Sequence, residues 1–209
     1  GSTLTLILDL SSSMHQGKLT SSSTDKTPVN KDFFGGISCT VFTRSTGDTS
    51  SFEIFTTLNG VTKSFQGRYC FIEDKQKYKA NGTVISGTRE GVYKDITSTK
   101  DRNAISNGCI SGGFTEVISG STDIKKGTRY YCPDRLTTLK KSLFELIAGN
   151  SKIIVPVGDP VLTTVGALPD TTTLGITTFN ASITDRGFFS LSTDRVALLE
   201  VIKDLSAGS

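Results

Sequence analysis

Three oxygen-bearing side chains, Asp9, Ser11 and Ser13, stand at alternate positions directly after the run Leu4-Thr5-Leu6-Ile7-Leu8. A mostly apolar run of that length reads as a buried strand. The loop at its end would present one carboxylate and two hydroxyls together. That donor set suits a hard divalent cation such as Mg²⁺, which takes one or two carboxylates with neutral oxygens and leaves positions open to water or to a partner's carboxylate. His15, two residues beyond Ser13, suggests a Ser-His-Asp hydrolase instead. Catalytic triads, however, are built from residues far apart in the chain around a formed oxyanion hole. No Gly-x-Ser-x-Gly elbow is present either, so the reading is not that of an enzyme.

The elements that must position this loop are legible in outline. Residues 1–32 hold the opening strand and a polar stretch, Ser21 to Lys26, that reads as loop. Residues 33–132 carry β-branched and aromatic runs punctuated by Asn59-Gly60, Asn81-Gly82 and Asn107-Gly108. Asn-Gly accepts positive φ at both centres of a type I′ turn, so each pair predicts a hairpin and the zone a meander. Residues 133–209 change character. Pro133 suits a first helical position, and Leu136, Leu139, Leu143, Phe144 and Ile147 recur on one helical face before Gly149. Strands follow over 152–155 and 174–179, and a second helix over 194–205, with Val196, Leu199, Ile202 and Leu205 as its stripe. The zones combine into an α+β fold: a partial α/β frame, residues 1–32 and 133–209, around an inserted antiparallel β-rich module, residues 33–132.

Composition bounds the function. At 209 residues with 35% apolar and 21% charged side chains, the chain is globular. Its net charge of +3 and scattered Lys and Arg argue against nucleic acid as a partner. No apolar run reaches the ~20 residues of a membrane-spanning helix. The chain opens on Gly1-Ser2 instead of Met, which reads as a trimmed product or a cloning scar. Cys39, Cys70, Cys109 and Cys132 all fall in the middle zone. They lack the paired spacing of a zinc site and an even count suits two disulfides, hence an oxidising compartment. Sequence does not choose among the three pairings. Gly87 and Gly112-Gly113 lack the spacing of phosphate-binding loops. For Tyr130-Tyr131, Phe33-Phe34 and Phe188-Phe189 the core is the ordinary place for aromatic rings, although an alternating strand exposes one member of each pair.

Asp9-x-Ser11-x-Ser13 behind an apolar strand, followed by Met14, resembles the metal-ion-dependent adhesion site of von Willebrand factor A domains. The resemblance implies Mg²⁺ or another divalent cation held by Asp9, Ser11 and Ser13. In that family a Thr from a later loop and an Asp near the end of a later strand complete the site. Thr171, Thr173 and Asp170 are the substitutes available here. A helix normally follows the motif closely, so the likeness requires an insertion on the order of a hundred residues, and Ser209 falls about where the Thr loop would begin. The expectation is an extracellular or cell-envelope adhesion module, pilus-associated, binding a protein or surface ligand. The alternative is a structural subunit of a surface filament or coat, contacting its own subunits without metal chemistry.

Overall fold

The computed structural model describes residues 1–15, 40–42, 53–91, 99–155 and 159–208. In chain order the elements are β1 (Ser2–Asp9), a 3-10 turn (Ser12–His15), β2 (Thr40–Phe42), β3 (Glu53–Leu58), β4 (Val61–Gln66), β5 (Tyr69–Tyr78) and β6 (Glu90–Gly91). Then follow α1 (Thr99–Gly108), β7 (Ile110–Val117), β8 (Ile124–Pro133), α2 (Arg135–Ala148), β9 (Asn150–Ile154), β10 (Val161–Thr164), β11 (Thr172–Phe179), β12 (Ile183–Ser190) and α3 (Arg195–Asp204). The fold is α+β, as the sequence implies.

Local chemistry explains most boundaries. Asn59 and Gly60 take φ of 50° and 78°, closing the β3–β4 hairpin as expected. Asn81-Gly82 also turns the chain, with Gly82 at φ 87° and Tyr78 bridged to Val84. Asn107-Gly108 does not. It ends α1, a helix in which Ile105 is fully buried, and Cys109 N–H donates to Ile105 O at 3.1 Å. Asn and Gly serve helix ends as readily as hairpins, so the dipeptide alone is ambiguous. Pro133 is the last residue of β8, and Asp134 is the N-cap of α2, its carboxylate accepting from Thr137 N at 2.8 Å. At the other end Gly149, at φ 82°, donates to Glu145 O.

Among the described residues three sheets form, in the orders β1-β11-β12, β10-β9-β3-β4 and β2-β5-β8-β7, with β6 on β5. The strands of the expected α/β frame divide between the first two. β1 runs parallel to β11, whereas β9 and β10 join the hairpin that composition places in the middle zone. Asn150 supplies a physical reason: its amide donates to Thr57 O at 2.9 Å, and its carbonyl accepts from Thr56 Oγ1 and Thr57 N, both at 3.1 Å. This clamps the start of β9 to β3. Ile54 and Phe65 of the hairpin share one buried cluster with Leu8, Phe144, Ile147, Leu174, Leu199 and Ile202. The core therefore spans the composition boundary at 132/133.

Cys109 and Cys132 form a disulfide that ties the end of α1 to the end of β8. The second expected bridge involves Cys39, which lies outside the described residues.

Lys140 of α2 is only 7% exposed. Its ammonium donates to Lys203 O near the end of α3 at 2.8 Å and lies 5.1 Å from the centre of the Phe65 ring. A cation suits the negative end of a helix. Burial nevertheless lowers its pKa to about 8, against the opposing pull of Asp134 and Asp204, with Lys203 adding to the lowering. Between that value and the ordinary lysine value of 10.5 the unfolded chain holds the extra proton, so stability rises with pH across this window and is flat below it. Relative to Lys140→Met, the wild type should gain up to roughly 3 kcal/mol from pH 7 to pH 11. Urea unfolding of both proteins across that range reads the difference, and parallel curves would contradict it.

Candidate functional site

The Asp9 loop is built at the meeting of β1, β11 and α2. β1 pairs with β11 in parallel register from Ser2 opposite Thr172 to Asp9 opposite Phe179, and Leu10 N–H then donates to Phe179 O at 2.8 Å. Leu10 is 3% exposed and its carbonyl accepts from Gly208 N at 2.9 Å. The loop thus leaves an anchored strand end. Asp9 Oδ1 accepts from Ser11 N at 2.8 Å, folding the carboxylate over the turn, and Met14 N–H donates to Ser11 O at 2.9 Å. Ser11 Oγ and Ser13 Oγ are hydrogen-bonded at 3.0 Å. Met14 packs against the core. Asp9, Ser11 and Ser13 are all half-buried.

The fold therefore gathers the three motif residues, as their alternation predicts. It does not bring in Thr171, Thr173 or Asp170. Thr172 lies opposite Ser2, so these residues lie at or just before the start of β11, at the far end of the sheet from Asp9. At about 3.3 Å per residue, the six positions from Thr173 to the Asp9 row already amount to roughly 20 Å, and Thr171 and Asp170 lie beyond it. Asp170 is also engaged elsewhere, paired with Arg195 at 2.8 Å. Arg195 in turn donates to Ile147 O and Leu168 O. The parallel pairing is the physical reason for this correction: it aligns β11 so that its end, not its beginning, meets the loop.

Sequence reasoning missed Arg135. Its guanidinium donates to Ser13 O at 3.3 Å and braces the 3-10 turn against α2. A helix-start Arg more than a hundred residues away carries no sequence signal for this contact. Among the described residues, no three His, Cys, Asp or Glu side chains converge as a metal-binding group. Among the described residues of the loop, Asp9 is the one carboxylate.

Two other concave regions lie among the described residues. A cavity of about 200 Å³ lies between α2 and strands β3 and β9, with Ile54, Ile110, Pro133, Thr137 and Ile153 in its walls. Thr137 Oγ1 is bonded to the backbone of Arg68, and Lys141 beside it pairs with Glu145 at 2.5 Å. An open groove runs over Gly113 and Thr128 on the third sheet, where Lys126 lies over the Tyr78 ring at 4.3 Å. On the other face of that sheet Glu73 accepts from Lys75 at 2.6 Å and from Arg129 at 2.8 Å, and Arg129 also reaches Glu116 and covers Phe114. Burial acts to raise the Glu73 pKa, but the hydrogen bonds from Lys75 and Arg129 hold it below the ordinary carboxylate value.

A comparison with protein-family models, curated proteins and solved structures finds no match to this chain.

Asp9 has a structural duty that any ligand role must be separated from. Its bond to Ser11 N caps the turn, and a bond of this kind contributes about 1 kcal/mol. Asp9→Ala should therefore lower stability by about 1 kcal/mol without any added ion, and Asp9→Asn, which keeps an acceptor oxygen, by a few tenths. Chemical unfolding in chelator-treated buffer measures both. Equal losses in the two variants would remove the cap from the account.

Proposed function

We propose that this chain is a non-catalytic adhesion module of the cell surface or envelope, pilus-associated, which engages a protein or surface ligand through a divalent cation at Asp9, Ser11 and Ser13. One observation carries the reading: the two seryl oxygens lie 3.0 Å apart in the turn that Asp9 caps. Adjacent ligands of an octahedral Mg²⁺, each at about 2.1 Å, are separated by about 3 Å. The same separation serves as a hydrogen bond between the hydroxyls when no ion is bound. The donor set therefore fits part of a hard-cation shell. The remaining positions fall to water and to a carboxylate of the ligand, and what the ion supplies is that open position.

The surroundings set the expected strength. Thr171, Thr173 and Asp170 are out of reach, and the Arg135 guanidinium sits beside the loop as a competing positive charge. One carboxylate and two hydroxyls imply millimolar affinity. The Cys109–Cys132 disulfide supports an oxidising, extracytoplasmic setting. The alternative reading, a structural subunit of a filament or coat, is favoured by the exposed apolar face of the first sheet and needs no ion.

Thermal unfolding across a Mg²⁺ or Mn²⁺ titration tests the proposal. Binding to the native state alone stabilises by RT ln(1 + [ligand]/Kd), about 2.7 kcal/mol at a hundredfold excess over Kd. The melting temperature should climb once the ion passes millimolar concentration. Asp9→Asn should abolish the climb while leaving the ion-free melting temperature nearly unchanged, and Ser11→Ala should weaken it. A flat titration at tens of millimolar, or a climb that survives in Asp9→Asn, would move the assignment to the filament or coat subunit.

A further inference from the structure

The sheet β1-β11-β12 buries one face and leaves the other bare. Leu174, Ile176 and Thr178 point to the core, with Leu8 and Phe189 beside them. On the opposite face Ile7 lies across from Thr177, Gly175 across from Phe188, and Phe179 across from Ile183. Ile7 is 70% exposed, Ile183 80%, Phe188 62% and Phe179 36%. Among the described residues no helix covers this face, since α2 and α3 contribute to the core on the other side. The Phe188 ring lies across Gly175, so close that a Cβ there would stand 2.7 Å from it, which makes the centre of the face a flat apolar platform.

We propose that a second copy of this chain packs on this face, sheet against sheet, about a two-fold axis, and the inference holds under either functional reading. Area carries it. At about 200 Å² for a fully exposed large apolar residue, the four exposed fractions amount to roughly 500 Å² per copy. Two copies would bury about 1,000 Å² from these residues alone, the size at which specific interfaces begin, and the threonines between them add more. A patch of roughly 500 Å² is at the upper end of what a monomer leaves bare. Among the described residues the face carries no Lys or Arg side chain, and its carboxylates are Asp9 at the end of β1 and Asp185 on β12, across from Thr177 and between Ile183 and Phe188. Two twisted sheets packed face to face at about 10 Å form the ordinary core of a sandwich, and a two-fold axis closes the contact at two copies.

Sedimentation equilibrium of the full chain reads this directly. The wild type should show a reversible monomer–dimer equilibrium with a dissociation constant of order micromolar. Ile7→Lys and Ile183→Lys should each weaken it at least tenfold, because an ammonium would be buried within the apolar contact. Both side chains point to solvent in the single chain, so circular dichroism and melting of the variants should match the wild type. Ile7→Thr and Ile183→Thr give a milder pair that weakens the dimer in the same direction. Val117→Lys, at a 77% exposed position on the third sheet, should leave the equilibrium unchanged. A wild type that stays monomeric at about a hundred micromolar, or a dimer indifferent to Ile7 and Ile183, overturns the proposal.

Discussion

The parallel pairing of β1 with β11 is the constraint on which the rest of the structure depends. One register, Ser2 opposite Thr172 through Asp9 opposite Phe179, decides what meets at each end of the sheet. It delivers the Asp9 turn to the end of β11 and sends the Asp170–Thr173 segment to the opposite end. It also sorts side chains by face. Leu6, Leu8, Leu174 and Ile176 turn toward the helices, and Ile7 and Phe179 turn away. A shift of one residue would exchange those sets and bring Ile7 into the core in place of Leu8. The chain is held against such a slip by Leu10, buried and hydrogen-bonded both to Phe179 and to Gly208.

The second organising element is α2. Asp134 caps its start, Gly149 ends it, and between them Leu143, Phe144 and Ile147 are buried against both remaining parts of the core. Phe144 meets Phe65 of the hairpin edge-on at 5.2 Å, a geometry favoured by the ring quadrupoles. On the same helix Arg135 reaches back to the Asp9 turn and Lys140 reaches across to α3. The helix thus links the candidate site, the hairpin and the final helix, and a loss of its packing would be felt at all three. The clamp that Asn150 places on Thr56 and Thr57 extends that link into β9 immediately after the helix ends.

The third sheet is held differently. Its inner end contributes Tyr69 and Tyr131, whose rings meet at 5.5 Å within the shared core, and the disulfide at Cys132 lies next to them. Farther along the same strands the side chains are charged, and Glu73, Lys75, Arg129 and Glu116 balance one another over Phe114. Apolar burial secures one end, and paired charges keep the other in register where little core is available. Each such pair contributes little by itself at a wet surface, but a connected group with opposite charges facing across strands disfavours a slipped pairing.

Much of this was legible in the residues themselves. The apolar run before Asp9, the Asn59-Gly60 turn, and the helical stripe from Leu136 to Ile147 with its Gly149 stop all follow from local periodicity and backbone preference. The gathering of Asp9, Ser11 and Ser13 is of the same kind, since alternate residues of one turn need no distant partner to meet. Local signals were ambiguous at Asn107-Gly108, where a helix end and a hairpin ask for the same residues, and weak in β12, where Asp185, Arg186 and Gly187 interrupt the alternation at a bulge. The tertiary structure alone decided that β3 and β4 join β9, that Arg135 braces Ser13, and that Thr171, Thr173 and Asp170 stand apart from Asp9. Composition and spacing describe each strand by itself. Which strand lies beside which, and in what register, depends on burying all the apolar faces at once, and that balance exists only in the assembled chain.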